Sequence, residues 1–123
     1  MNKIERPLIK NLIQEGTNEI EGFQNNTIRP IVKMQHDLLI ISFKNYLKKR
    51  RIDFENYSEK QKMIQISSIF TRDIAYKNIS LGSIIGHFSI EEYNFYSQNS
   101  PEIHKRIIKI LQKRIQDSIL QII

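Results

Sequence analysis

Residues 27–51 read TIRPIVKMQHDLLIISFKNYLKKRR, and they set the architecture. Thr27 is a residue type that caps helices, and Pro30 falls in the first turn, where a missing N–H costs least. Nothing after Pro30 breaks a helix. On a 100° wheel Ile28, Ile31, Val32, Leu38, Leu39, Phe43 and Tyr46 form one broad face. Met34, Ile40, Ile41 and Leu47 widen it until only Lys33, Asp37, Lys44 and Lys48 remain as a polar strip. A helix apolar around most of its circumference is packed by several others. The spacing therefore predicts a long central helix over about 28–51. Its end, Lys48-Lys49-Arg50-Arg51, carries the positive charge that complements a helix C-terminus.

On the N-terminal side, Ile4, Leu8, Ile9, Leu12 and Ile13 predict a short helix from Ile4 to Glu15, with Gly16 as its stop. Residues 17–26 read as a loop, anchored on the core by Ile20 and Phe23. On the C-terminal side, Ser58-Glu59-Lys60-Gln61 has capping-box spacing and starts a helix with Met63, Ile64, Ile66, Ile69 and Phe70 inward. The pattern continues from Asp73 to His87, and the sequence leaves open whether residues 59–88 are one bent helix or two. Gly82 and Gly86, four apart, suggest close helix packing. Ser89-Ile90-Glu91-Glu92 is a second capping box, and Ser100-Pro101 opens the last helix with Pro at its first position. That helix ends in Ile119-Leu120-Gln121-Ile122-Ile123, an unusually apolar terminus. No strand pair is convincing. The expectation is an all-α compact bundle of five or six helices, one domain over residues 1–123, with 1–26 a peripheral segment.

Composition narrows the chemistry. The chain has 123 residues, 19 Lys+Arg against 13 Asp+Glu, and a formal charge of +6. It contains no Cys, which excludes disulfides, thiolate metal sites and a thiol nucleophile. Four Gly and three Pro are too few for a turn-rich β fold or a Gly-rich phosphate cradle. No apolar run approaches the roughly 18 residues that span a bilayer. The start has no signal-peptide core. A cytoplasmic location and no membrane partner are expected. Heavy use of Ile, Lys and Asn, with a single Ala, matches an AT-rich bacterial genome.

Three His can be examined as ligands. His36, His87 and His104 show no i, i+4 pair and no HExxH. His87 with Glu91 or Glu92 is the one conceivable metal grouping; otherwise each His reads as a hydrogen-bonded, half-buried side chain. Glu91 and Glu92 are more simply first-turn acids. Gln35 and Ser42, seven apart, project from the apolar face of the central helix with Tyr46 one turn on, either lining a small pocket or meeting another helix. Two basic clusters stand out: Lys44, Lys48, Lys49, Arg50 and Arg51, and then Lys105, Arg106, Lys109, Lys113 and Arg114. If the last helix packed beside the end of the central one, they would merge into a surface for phosphate backbone, with Phe54, Tyr57, Tyr93 and Tyr96 for stacking. Read as a helix-turn-helix, residues 73–96 fail, because Ile79 stands where the turn wants Gly. No nucleophile motif and no cofactor motif is present, so the catalytic residues are unknown, no cofactor is expected, and the sequence leans against an enzyme.

The segment Phe23-Gln24-Asn25-Asn26-Thr27-Ile28-Arg29-Pro30 through Leu39, and Gly82-Ser83-Ile84-Ile85-Gly86-His87-Phe88 with the Ser89 box, resemble a family of short all-helical bacterial proteins. The likeness covers roughly residues 20–118. Some members carry the label glyoxalase, which implies chemistry on a metal held by His and Glu. No His/Glu ligand set matches position by position, so no catalytic residue carries over.

Three functional expectations follow. The first is a structural or protein–protein interaction module that self-associates, a dimer before other states, because apolar surface exceeds what one small chain covers. The second is a nucleic-acid-associated protein using the Lys/Arg clusters. The third is a metal-assisted small-molecule enzyme using His87 and Glu91 or Glu92.

Overall fold

Pro30 forces the first local decision of the fold. It has no N–H to donate, and in a regular helix its ring crowds the carbonyl four residues back. The chain answers with a wider turn. Gln24–Ile28 is a π-helix, closed by the Arg29 N–H on the Gln24 carbonyl. It joins α1, Glu19–Phe23, to α2, Arg29–Met34, in which Pro30 sits in the first turn. The computed structural model describes residues 19–122. The helix expected over Ile4–Glu15 and its stop at Gly16 lie outside them.

This corrects two expectations. Residues 19–26 are helical rather than a loop, and Thr27 is not a helix cap. The Thr27 side chain is buried and donates to Glu92 Oε2 at 3.1 Å. Sequence reasoning explained Pro30 by placing it after a cap, but a π turn relieves the same clash. Ile20 and Phe23 do pack on the core, with Phe23 edge-on to Phe88 at 5.3 Å.

The central helix is also divided. Gln35 leaves helical geometry (φ −92°, ψ 9°), and α3 runs over His36–Lys49. Hydrogen bonding continues across the break, from Gln35 N–H to Ile31 and from Leu39 N–H to Gln35. A distortion there, rather than a loop, links α2 to α3. After Arg51, in left-handed conformation (φ 55°), a 3-10 turn over Phe54–Asn56 leads to α4, Glu59–Arg72.

Residues 59–88 form two helices. α4 ends at Asp73, which caps α5, Ile74–Ile85, by accepting the Tyr76 N–H at 3.0 Å. Both capping boxes form. Ser58 pairs with Gln61 at the start of α4, and Ser89 with Glu92 at the start of α6, Ile90–Gln98. In α7, Ser100–Asp117, the cap falls one residue earlier than expected, on Asn99, and Ser100 is helical. Ser118 interrupts the helix, and α8 is Ile119–Ile122.

The described residues form an all-α fold without strands. α4, α5 and α7 pack on one another, α2 and the π turn lie along α7, and α8 covers α3. Phe43, Ile66, Phe70, Ile103, Ile107, Leu111 and Ile115 fill the centre. Ile119 and Ile122 of the apolar C-terminus are buried within the chain, whereas Leu120 is exposed. Ile64, expected inward, is exposed. Among the described residues no helix is long and apolar enough to cross a membrane.

Candidate functional site: the cleft between α3 and α5

α3 and α5 lie side by side in opposite directions. At one end the rings of Tyr46 and Tyr76 are 4.6 Å apart. At the other the Gln35 amide is bonded to His87 Nε2. Gln35 can only donate through this nitrogen, so the imidazole accepts at Nε2 and carries its proton on Nδ1. Between the two ends is a cleft of about 190 Å³. Gln35, Leu38 and Ser42 form one wall, Tyr76, Ile79, Ser80 and Ser83 the other, and Leu111 the floor.

The polar atoms of the cleft are unevenly satisfied. Ser42 Oγ donates to the Leu39 carbonyl at 3.0 Å, and Ser83 Oγ to the Ser80 carbonyl at 2.7 Å. Both hydroxyl protons are thus spent on their own helices. Tyr76 is only 9% exposed, and its hydroxyl makes no hydrogen bond of ordinary geometry among the described residues. It faces Ser42 and Ser80. Burial pushes the Tyr76 phenol above its usual pKa, so it stays a neutral donor.

The rim is apolar and open. Leu38 is 57% exposed and Ile79 72%, and Ile41, elsewhere on α3, is exposed as well. Among the described residues no Asp, Glu, Lys or Arg lines the cleft. The outer side of α5 is smooth as well. A Cβ added at Gly82 would meet nothing within 4 Å, and one at Gly86 would touch only the carbonyl of Gly82 itself, at 3.1 Å. Among the described residues no side chain packs closely against Gly82 or Gly86, which differs from the expectation of close helix contacts.

The anticipated row of Gln35, Ser42 and Tyr46 is split. Gln35 and Ser42 line the cleft, while Tyr46 turns away to brace the α4–α5 junction. Its hydroxyl donates to Asp73 Oδ2 at 2.6 Å, and the Arg50 guanidinium sits 5.1 Å over its ring. Burial and the carboxylate together push the Tyr46 pKa up to about 12. Asp73 moves the other way. The Tyr46 hydroxyl, the Tyr76 N–H and Arg50 at 3.0 Å all hold its carboxyl below the usual range. Sequence reasoning placed a junction near Thr71-Arg72-Asp73 and missed this role of Asp73, although an Asp ahead of a helical run is itself a cap signal.

The remaining sites are dispersed. His36 lies between Arg114 and Gln121, each at 3.2 Å. His104 Nε2 accepts the Tyr96 hydroxyl proton, and burial, with Lys77 nearby, lowers the His104 pKa. Glu92 is engaged by Ser89 and Thr27, and Glu91 is exposed. Among the described residues no three His, Asp or Glu side chains gather into a metal-ligand set, so His87, Glu91 and Glu92 do not fit the metal that a glyoxalase label implies. The two basic clusters do not merge along α7. Arg106 reaches Gln24 and Arg114 reaches His36, so α7 follows residues 24–36. Lys48, Lys49, Arg50 and Arg51 lie at the far end of α3, about 20 Å along its axis from His36. Lys105 is exposed and stands outside the groove that Arg106, Lys109 and Lys113 line.

Compared with family models, curated proteins and solved structures, the chain matches none.

Proposed function

We propose that this protein is a helical interaction module of the bacterial cytoplasm that pairs with a second copy through the α3–α5 face. The carrying observation is the uncharged cleft itself, lined by the exposed Leu38 and Ile79. Its volume of about 190 Å³ is below the roughly 300–1,000 Å³ of ligand sites, and suits an inserted side chain better than a metabolite. Charge opposes pairing of two copies over most of the surface and opposes it least at this face. Two molecules of net charge +6 repel, and a cleft without ionised groups is where that repulsion is least felt. A cysteine-free chain suits a reducing compartment.

The energetics indicate a modest affinity. Full burial of a Leu or Ile side chain contributes about 1.5–3 kcal/mol. Leu38 and Ile79 are already partly covered, so each contributes roughly 1–2 kcal/mol per copy. Association entropy offsets much of the total. Sedimentation equilibrium over a concentration series tests the reading. The wild-type mass should climb from monomer toward dimer, and Ile79→Lys should stay monomeric with an unchanged thermal melt. A wild-type chain at monomer mass throughout, or an Ile79→Lys variant that associates as wild type does, refutes it.

A further inference from the structure

The second basic cluster of the sequence acquires a partner that the sequence did not suggest. Between the π turn with α2 and the length of α7 runs a groove of about 440 Å³. Arg29 enters it from α2, and Arg106, Lys109, Lys113 and Arg114 from α7. Arg106, Lys109 and Lys113 follow one another at helical spacing, so the row extends about 10 Å along the axis.

These cations are placed, and they are only partly neutralised. Arg106 is held by Gln24 Oε1 at 2.9 Å and by Glu102 at 3.2 Å. Arg114 is held against His36 Nδ1 at 3.2 Å. His36 Nδ1 accepts there, which leaves its Nε2–H to donate to Gln121. Lys113 pairs with Asp117 at 3.3 Å. Arg29, Lys109 and Arg114 have no carboxylate partner among the described residues. Among the described residues only two of these five cations are paired with carboxylates, Arg106 with Glu102 and Lys113 with Asp117. Like charges held this close favour an anion that bridges them. Their spread along a helix suits several linked anionic groups better than one. Among the described residues no aromatic side chain lines the groove to stack on a base.

We propose that this groove binds a chain of phosphates, recognised through its phosphoryl oxygens alone. Such a chain is offered by a free oligophosphate or by a nucleic-acid backbone. Arg29, Arg106 and Arg114 supply planar donors for phosphoryl oxygens, and Lys109 and Lys113 supply adjustable charge. The site is separate from the α3–α5 cleft and does not rest on self-association.

The test measures binding of fluorescent single-stranded oligouridylate and of inorganic tripolyphosphate to the full chain at low and moderate salt. Two double variants of equal charge change are compared. Lys109→Glu with Lys113→Glu alters exposed groove residues, and Lys48→Glu with Lys49→Glu alters exposed residues at the end of α3. The groove variant should weaken binding tenfold or more, and the control less than twofold. For four contacts on a single strand, log K against log salt should slope at about −3. Tripolyphosphate that binds and displaces the RNA identifies free oligophosphate as a sufficient ligand, and RNA binding that it leaves untouched identifies the polymer backbone. Ile79→Lys should bind as wild type does. Equal losses in the two double variants, or no binding of either probe at low salt, overturn the proposal.

Discussion

Replacing Gly82 by Ala separates the stability of one chain from the contact between two. Gly82 lies within α5, where Gly is less favourable than Ala by about 0.8–1.0 kcal/mol. The added Cβ would meet nothing within 4 Å, so no clash offsets that gain in the monomer. Unfolding entropy is about 2.1 cal/mol/K per residue, which for this chain amounts to roughly 0.26 kcal/mol/K. A gain of about 1 kcal/mol then raises Tm by about 4 °C. The assay is a circular-dichroism melt at concentrations where sedimentation finds monomer. At higher concentration the new methyl group stands on the face proposed to meet a second copy, and the dimer fraction should fall. A Tm that drops in the monomer would mean that the Gly82 backbone is not open. A raised Tm with unchanged dimerisation would leave the helix reading intact and remove α5 from the contact.

Other perturbations follow from the same packing. Phe43 is fully buried and meets Phe54 and Tyr76 edge-on, so Phe43→Ala should cost about 3–5 kcal/mol in urea unfolding. A loss below about 1 kcal/mol would place Phe43 outside the core. Asp73→Asn should lower the denaturation midpoint at neutral pH and converge with wild type in acid. The depressed Asp73 pKa gives stability that is present above the ordinary carboxylate range and lost as pH falls through the folded value. Curves that stay parallel down to pH 2 would contradict that linkage. His104 is held below its ordinary value of 6.5 by burial. Acidification below 6.5 therefore protonates the unfolded chain first and destabilises the fold, and His104→Gln should flatten this slope in a pH series of melts.

The parts of this fold that were legible in advance are the ones decided within a few residues. Ser58 with Gln61, and Ser89 with Glu92, declare their helix starts because both halves of a capping box lie within one turn. The apolar face of α7 is equally plain, with Ile103, Ile107, Leu111 and Ile115 all buried. Local pattern failed where two structures satisfy one residue. Pro30 permits a cap or a π turn, and Gln35 looks like any interior helix residue until His87, from the turn after α5, arrives to bind it. The junction near Asp73 was located but not resolved, because its cap is reinforced by Tyr46 and Arg50 from another helix.

The candidate sites divide in the same way. Periodicity put Gln35 and Ser42 on one face, but the cleft exists only because α5 brings Tyr76, Ile79, Ser80 and Ser83 up as its other wall. The α7 cations were visible as a cluster, and Arg29 was not associated with them, since it comes from a distant part of the chain.

By itself the sequence settled the helical class and the two capping-box helix starts at Ser58 and Ser89, since hydrogen-bond caps and 3.6-residue periodicity are short-range. The tertiary structure alone decided that Ile119 and Ile122 are covered while Leu38, Ile41 and Ile79 are left open. A helix that is apolar almost all round states how much surface must be buried and not which side a neighbour will take, because burial belongs to the pair of surfaces that meet.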